Sequence, residues 1–189
     1  DFVVPLLGEQ QLGSILAATA AALTLGMRLE EIAEAARALA PLPRTMERVQ
    51  GQDDTMIVDD TYSANPEGVI AALKFLRQTG RKKNVVVLAS MIELGRTARE
   101  AHRSVGEALA HARPERTVLT SSDYADAIIH GARGVHAPTA ERISVEPDSE
   151  RALAIVRPLF GSETVILLEG RIPETLRQAI RHGRKSPKP

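Results

Sequence analysis

The sequence predicts an α/β fold: a mostly parallel sheet flanked by helices, preceded by a short helical segment. Three observations predict it. Beyond Pro41-Leu42-Pro43, short apolar runs alternate with helical stretches of about ten residues or more, the pattern of βαβ units. The run Val85-Val86-Val87-Leu88 is apolar throughout, as a strand covered on both faces requires. Ahead of Pro41 the chain carries two helical segments.

The elements follow in order. Residues 12–25 are Ala-rich with apolar side chains almost all round, which reads as a buried helix. Residues 29–39 place Leu29, Ile32, Ala33, Ala36 and Leu39 on one helical face. Two prolines then interrupt the periodicity, and a domain boundary is placed there, dividing residues 1–40 from 41–183. Residues 184–189 read as a frayed tail. Met46-Glu47-Arg48-Val49 and Thr55-Met56-Ile57-Val58 flank Gly51-Gln52-Asp53-Asp54 as a hairpin. Helices are predicted over 66–78, 97–112, 123–132, 148–160 and 174–182. Strands are predicted over 84–89, 116–120, 142–145 and 164–168.

Composition excludes several classes of function. Among 189 residues, Lys+Arg and Asp+Glu both total 24, so the basic footprint of a nucleic-acid binder is missing. With no Trp, two Tyr and three Phe, a stacking platform for single strands is not expected either. The longest apolar-rich stretch, residues 15–25, is too short to cross a bilayer, so no membrane partner is expected. The absence of Cys rules out disulfide and thiolate chemistry. A cytoplasmic location is the expectation.

Ligands in an open α/β sheet collect at the carboxyl ends of the strands, and three predicted strand exits are polar. The first is Asp59-Asp60-Thr61-Tyr62-Ser63-Ala64-Asn65-Pro66, where Asn65 reads as an N-cap and Pro66 as the first helical residue. The start of that helix favours an anion, and the acids suit ribose hydroxyls or a metal-bound water. The bland alternative is that Asp60 and Asn65 organise only a loop and a cap. The second exit is Ala89-Ser90-Met91-Ile92-Glu93-Leu94-Gly95, followed by Glu100-Ala101-His102-Arg103. Glu93 is a candidate base or cation acceptor, and His102 a candidate anion contact or a packing residue. The third is Glu169-Gly170-Arg171, where Arg171 is an anion contact or half of a solvated charge pair. No phosphate-binding loop G-x-x-x-x-G-K-[ST], no G-x-G-x-x-G and no paired histidine spacing is present.

These segments together resemble the Mur ligase family over nearly the whole chain, in its D-alanyl-D-alanine-adding branch. Residues 59–66 resemble D-D-S-Y-N-A-N-P. Met91-Ile92-Glu93-Leu94-Gly95 resembles M-L-E-L-G, and Glu100-Ala101-His102-Arg103 resembles E-A-H-R. Pro5-Leu6-Leu7-Gly8-Glu9-Gln10-Gln11-Leu12-Gly13-Ser14 resembles the stretch closing the family's ATP-binding central domain. The resemblance implies that residues 1–40 are the helical end of that domain and that 41–183 are the Rossmann-like third domain.

It also implies a ligase that phosphorylates a UDP-muramoyl peptide with ATP and Mg²⁺, and couples it to D-Ala-D-Ala or an amino acid. The upstream domains of the same chain would carry the phosphate loop and metal carboxylates. On this resemblance Asp60, Tyr62, Asn65, Gln10, Gln11, Ser14 and Arg44 serve the nucleotide. Ser90, Glu93, His102 and Arg171 serve the substrate, and no catalytic residue or metal ligand is assigned. This chain alone is expected to bind no cofactor tightly and to be inactive.

Two departures carry expectations of their own. Thr45 stands where the family has Arg, with Arg44 one step early, which on an extended chain turns the side chain to the opposite face. Glu169 stands where the family has a cation and would repel a desolvated anionic ligand. Two other readings stay open: a non-catalytic homologue that binds a ligand or partner, and a sister ligase adding glutamate to folate.

Overall fold

The computed structural model describes residues 2–182; the predicted tail, 184–189, lies outside them. Helices α1 (Gln11–Thr24) and α2 (Leu29–Arg37) come first, followed by the antiparallel hairpin of β1 (Glu47–Gln50) and β2 (Met56–Asp60). Then come α3 (Pro66–Gln78), β3 (Lys83–Leu88), α4 (Ala98–Ala112), β4 (Arg116–Leu119), α5 (Ala125–Val135), α6 (Ala137–Glu141), β5 (Ile143–Val145), α7 (Ser149–Val156), β6 (Thr164–Glu169) and α8 (Glu174–His182). The six strands form one sheet in the order β1-β2-β6-β3-β4-β5, parallel except at β1.

The last strand therefore inserts between β2 and β3. All six of its residues are buried, so the run Val165-Ile166-Leu167-Leu168 feeds both faces of the sheet at once. Val165 and Leu167 join Met56, Val58, Val86 and Leu88 under α3 and α4. Ile166 and Leu168 join Ile57, Val85 and Val87 under α7 and α8. The helices following β2 and β3 thus lie on one face and the helix following β6 on the other. This reversal makes the exits of β2, β6 and β3 the switch point of the sheet, where a crevice opens.

Four predictions need correction. Helix α1 was expected to be buried, yet none of its residues is, because among the described residues only α2 and the N-terminal segment lie against it. The helix predicted over 148–160 stops at Val156 and passes into a 3₁₀ turn, Arg157–Leu159, because Pro158 lacks the N–H that would continue it. The helix predicted from Asp123 begins at Ala125, since Tyr124 adopts a left-handed backbone (φ 56°). The short α6 was not predicted; Pro138 lies in its first turn and Ala140 packs it against Ala110 and Ala132.

Candidate functional site

Side chains on a strand alternate between faces, so the adjacent acids closing β2 point opposite ways. Asp59, fully buried, follows Ile57 toward α8. It accepts from Arg177 Nε at 2.8 Å, from the guanidinium of Arg181 and from Thr61 Oγ1 at 2.6 Å. Arg181 also bonds Glu47 on β1, and Arg177 bonds Glu174. One buried carboxylate therefore clamps two turns of α8 onto the hairpin. The spacing Arg177/Arg181 on α8 was the available signal, but it has meaning only once a buried acid is known to lie opposite.

Asp60 follows Met56 and Val58 to the other face and is half-buried. Its Oδ1 accepts the backbone N–H of Met46 at 3.0 Å. Burial raises its carboxyl above the ordinary range, offset in part by the Met46 N–H, with the charge of Asp59 adding to the rise. Met46 itself is buried with φ 45°, and Asp60 holds that strained turn in place. Organising a loop is thus one task of Asp60, but Oδ2 has no partner among the described residues.

Asn65 is the predicted cap: its Oδ1 accepts from Gly68 N at 2.8 Å. The anion site expected at the start of α3 is correspondingly reduced. Pro66 has no N–H, Gly68 N–H is taken by the cap, and Val69 N–H bonds the Asn65 carbonyl. Only the Glu67 N–H remains in that turn.

The expectation for Arg44 also changes. The segment is not extended: Arg44 has φ 66° and Met46 φ 45°. That turn brings the guanidinium to the β2 exit, where Nε donates to Thr61 Oγ1 at 3.0 Å and an Nη to the Thr61 carbonyl at 2.9 Å. The Arg44 carbonyl accepts the N–H of Tyr62, whose ring is 70% exposed beside it.

At the β6 exit, Gly170 has φ 73°, and a Cβ there would lie 3.2 Å from that of Ala64. Its N–H bonds the Asp60 carbonyl, while the Ala89 N–H bonds the Glu169 carbonyl, so the three exits are tied together. Glu169 is the register partner of Asp60 and Leu88. The solvated charge pair expected here is not found among the described residues. Glu169 is 1% exposed, and its Oε2 is buried without a hydrogen-bond partner among the described residues. Burial, followed by the charge of Asp60, pushes its carboxyl well above the usual carboxylate range. Arg171 is exposed at the turn that follows.

The β3 and β4 exits form a second polar group. Ser90 Oγ donates to the Asp123 carbonyl at 2.6 Å. His102 is fully buried and stacks on Tyr124, with ring centroids 4.5 Å apart. Its Nε2 accepts the Met91 N–H at 3.1 Å and its Nδ1 donates to the Ala98 carbonyl at 2.6 Å. With both nitrogens bonded to backbone, His102 shapes the loop that carries Glu93, which is exposed with φ 63°. Tyr124 and Asp123 were not singled out in the sequence, because their partners lie on another strand exit.

Gln10, Gln11 and Ser14 are not brought to this crevice by any hydrogen bond or ion pair among the described residues. Gln11 lines an apolar groove of about 570 Å³ between the N-terminal segment and α1. Nor do the described residues hold any group of three His, Asp or Glu side chains that could bind a metal ion. None of the described helices is long and apolar enough to cross a membrane.

Residues 44–172 match the family model described as Mur ligase, glutamate ligase domain. The chain is 29% identical over 179 residues to the UDP-N-acetylmuramoyl-tripeptide–D-alanyl-D-alanine ligase of Mycobacterium tuberculosis, covering 86% of this chain and 35% of that protein. The fold superposes on MurF from Acinetobacter baumannii with a TM-score of 0.78 and 25% identity, over 94% of this chain and 39% of that one. It also superposes on MurF from Thermotoga maritima in complex with ADP, with a TM-score of 0.74 and 21% identity, over 93% and 39%. The chain therefore spans about a third of the length of the curated relatives it matches.

Proposed function

The chain belongs to the Mur ligase family, and we propose that it serves a longer ATP-dependent amide ligase of cell-wall synthesis. In that role it is the carboxy-terminal domain that closes over ATP and presents the incoming D-Ala-D-Ala or related amine. Residues 1–40 form the end of the ATP-binding central domain in this reading, and the boundary falls at Pro41. A cytoplasmic location, a UDP-muramoyl peptide as acceptor and the upstream domains as partners go with it.

The observation that carries the proposal is the half-buried Asp60 carboxylate at the switch point of the sheet, with Oδ1 fixed by the Met46 N–H. A carboxylate so held, with one oxygen open, suits a pair of ribose hydroxyls. Exposed Tyr62 is available to lie against the nucleotide, and Asn65 orients the loop between them. Arg44, anchored on Thr61, brings positive charge to the same exit. The residues present thus fit the nucleoside end of ATP, which supplies the phosphoryl group that activates the acceptor carboxylate. Among the described residues Mg²⁺ has no matching donor set, and no step is assigned to it. Ser90 and Glu93 at the β3 exit and exposed Arg171 at the β6 exit serve the amine substrate, with His102 holding the loop that carries the first two.

The test is made in the whole enzyme. Asp60→Ala weakens ADP binding, measured by calorimetry, by roughly 10- to 100-fold, the loss expected for hydrogen bonds to a charged group. Unchanged affinity would sink the reading. Phosphate release with D-Ala-D-Ala against single amino acids separates it from a folate-type ligase, and the 189 residues alone release no phosphate.

A further inference from the structure

The buried carboxyl of Glu169 has no place in the reading above, and its unpartnered oxygen calls for an explanation. Glu169 and Asp60 are register partners on adjacent parallel strands and point to the same face, with strands about 4.8 Å apart. Two charged carboxylates at that spacing, one of them sealed from water, are mutually unfavourable. Among the described residues the nearby cations are held elsewhere. Arg177 and Arg181 lie on the opposite face with Asp59, and Arg44 is bonded to Thr61. On β3 the register partner of Glu169 is apolar Leu88. The buried α3 and α4 residues of the cluster on this face are apolar, Val69, Leu73 and Val105 among them. His102 of α4 has both ring nitrogens bonded to backbone, at Met91 and Ala98. Among the described residues, Asp60 alone is a titratable group acting on Glu169.

We infer that Glu169 and Asp60 form a proton-sharing pair in which Glu169 keeps the proton and donates it in a hydrogen bond to the Asp60 carboxylate. Glu169 is then a positioning residue: it aims Asp60 at the nucleotide and keeps it charged, without touching the ligand. The inference rests on the assignment of Asp60 to the ribose.

The pair is tested in the whole enzyme with three Glu169 forms. Glu169→Ala removes the donor and raises the ADP dissociation constant about tenfold or more, tenfold being about 1.4 kcal/mol. Glu169→Gln supplies an amide donor and stays within about threefold of wild type. Wild-type affinity falls as rising pH ionises Glu169, whereas the Gln form stays flat. Infrared difference spectra give a readout that needs no nucleotide. At neutral pH the wild type shows a protonated-carboxyl band that Glu169→Gln lacks and that Asp60→Asn displaces. Stability supplies the sign. The folded carboxyl of Glu169 lies above its unfolded value. Its contribution is therefore complete below the ordinary carboxylate range and is lost as pH rises toward the folded value, a loss that Glu169→Gln abolishes. A missing band, or a Gln form as weak as the Ala form, overturns the inference. If Asp60→Ala leaves ADP affinity unchanged while the wild-type band is present and moves on Asp60→Asn, the ribose assignment has failed and the proton-sharing pair stands.

Discussion

Asp59 and Asp60 are chain neighbours with separate duties, because a strand sends successive side chains to opposite faces. Asp59 lies in the α8 layer as the shared acceptor of Arg177 and Arg181. Replacing it with Asn leaves two guanidiniums with too little countercharge in a buried setting. We expect Asp59→Asn to cost about 3–5 kcal/mol, the range for breaking a buried ion pair from one side, measured by urea denaturation. Asp60→Asn keeps an acceptor for the Met46 N–H and has a much smaller effect on stability. A comparable loss in the two variants would contradict the division of labour. The doublet was legible in the sequence as a polar strand exit, but which acid was structural was not. That choice depends on register against β1 and on α8, more than a hundred residues further along the chain. His102 makes the same point. Its place near the start of a helix was readable, whereas its bond to the Met91 N–H depends on how that loop folds over α4.

Among the elements, α4 and α5 pack most intimately. Their crossing is glycine on both sides: a Cβ on Gly106 would lie 2.0 Å from the Ile128 carbonyl oxygen, and one on Gly131 would lie 2.1 Å from that of Arg103. Backbone cannot yield as a flexible side chain does, so the helices must separate. Gly106→Ala or Gly131→Ala should destabilise by about 1–3 kcal/mol or more, the cost of overpacking. Gly13 in α1 has nothing within 4 Å of its Cβ position. Gly13→Ala should therefore stabilise the helix by roughly 0.5–1 kcal/mol through propensity alone. Thermal denaturation of the three variants checks both signs, and equal effects at positions 106 and 13 would refute the crossing argument. Helix α3 was predicted to the residue because its cap, its N1 proline and its apolar face agree. Nothing in the local sequence distinguishes Gly106 from a tolerated helical glycine, since its contact is made by another helix.

Across the whole molecule, burial divides the chain unevenly. Strand β6 is buried along its entire length, while α1 buries no residue and leaves Leu12, Leu16 and Leu23 exposed. Local stability follows burial. Backbone amides of α1 should therefore exchange with deuterium far faster than those of β6 in the 189-residue chain. Equal protection would mean that α1 has a cover not seen here. By itself, the sequence determined the alternation of strands and helices, the hairpin, the capped helix after the acid pair and the polarity of the strand exits. Each of these is written in periodicities and turn chemistry a few residues long. Only the tertiary structure decided that β6 inserts between β2 and β3, and so brings Glu169 beside Asp60. It also decided that Arg44 reaches Thr61 through a left-handed turn, and that among the described residues no hydrogen bond or ion pair ties Gln10, Gln11 or Ser14 to the crevice. The physical reason is common to all three: strand order and side-chain partnership are set by burial among distant segments, and no local pattern encodes which distant segment wins.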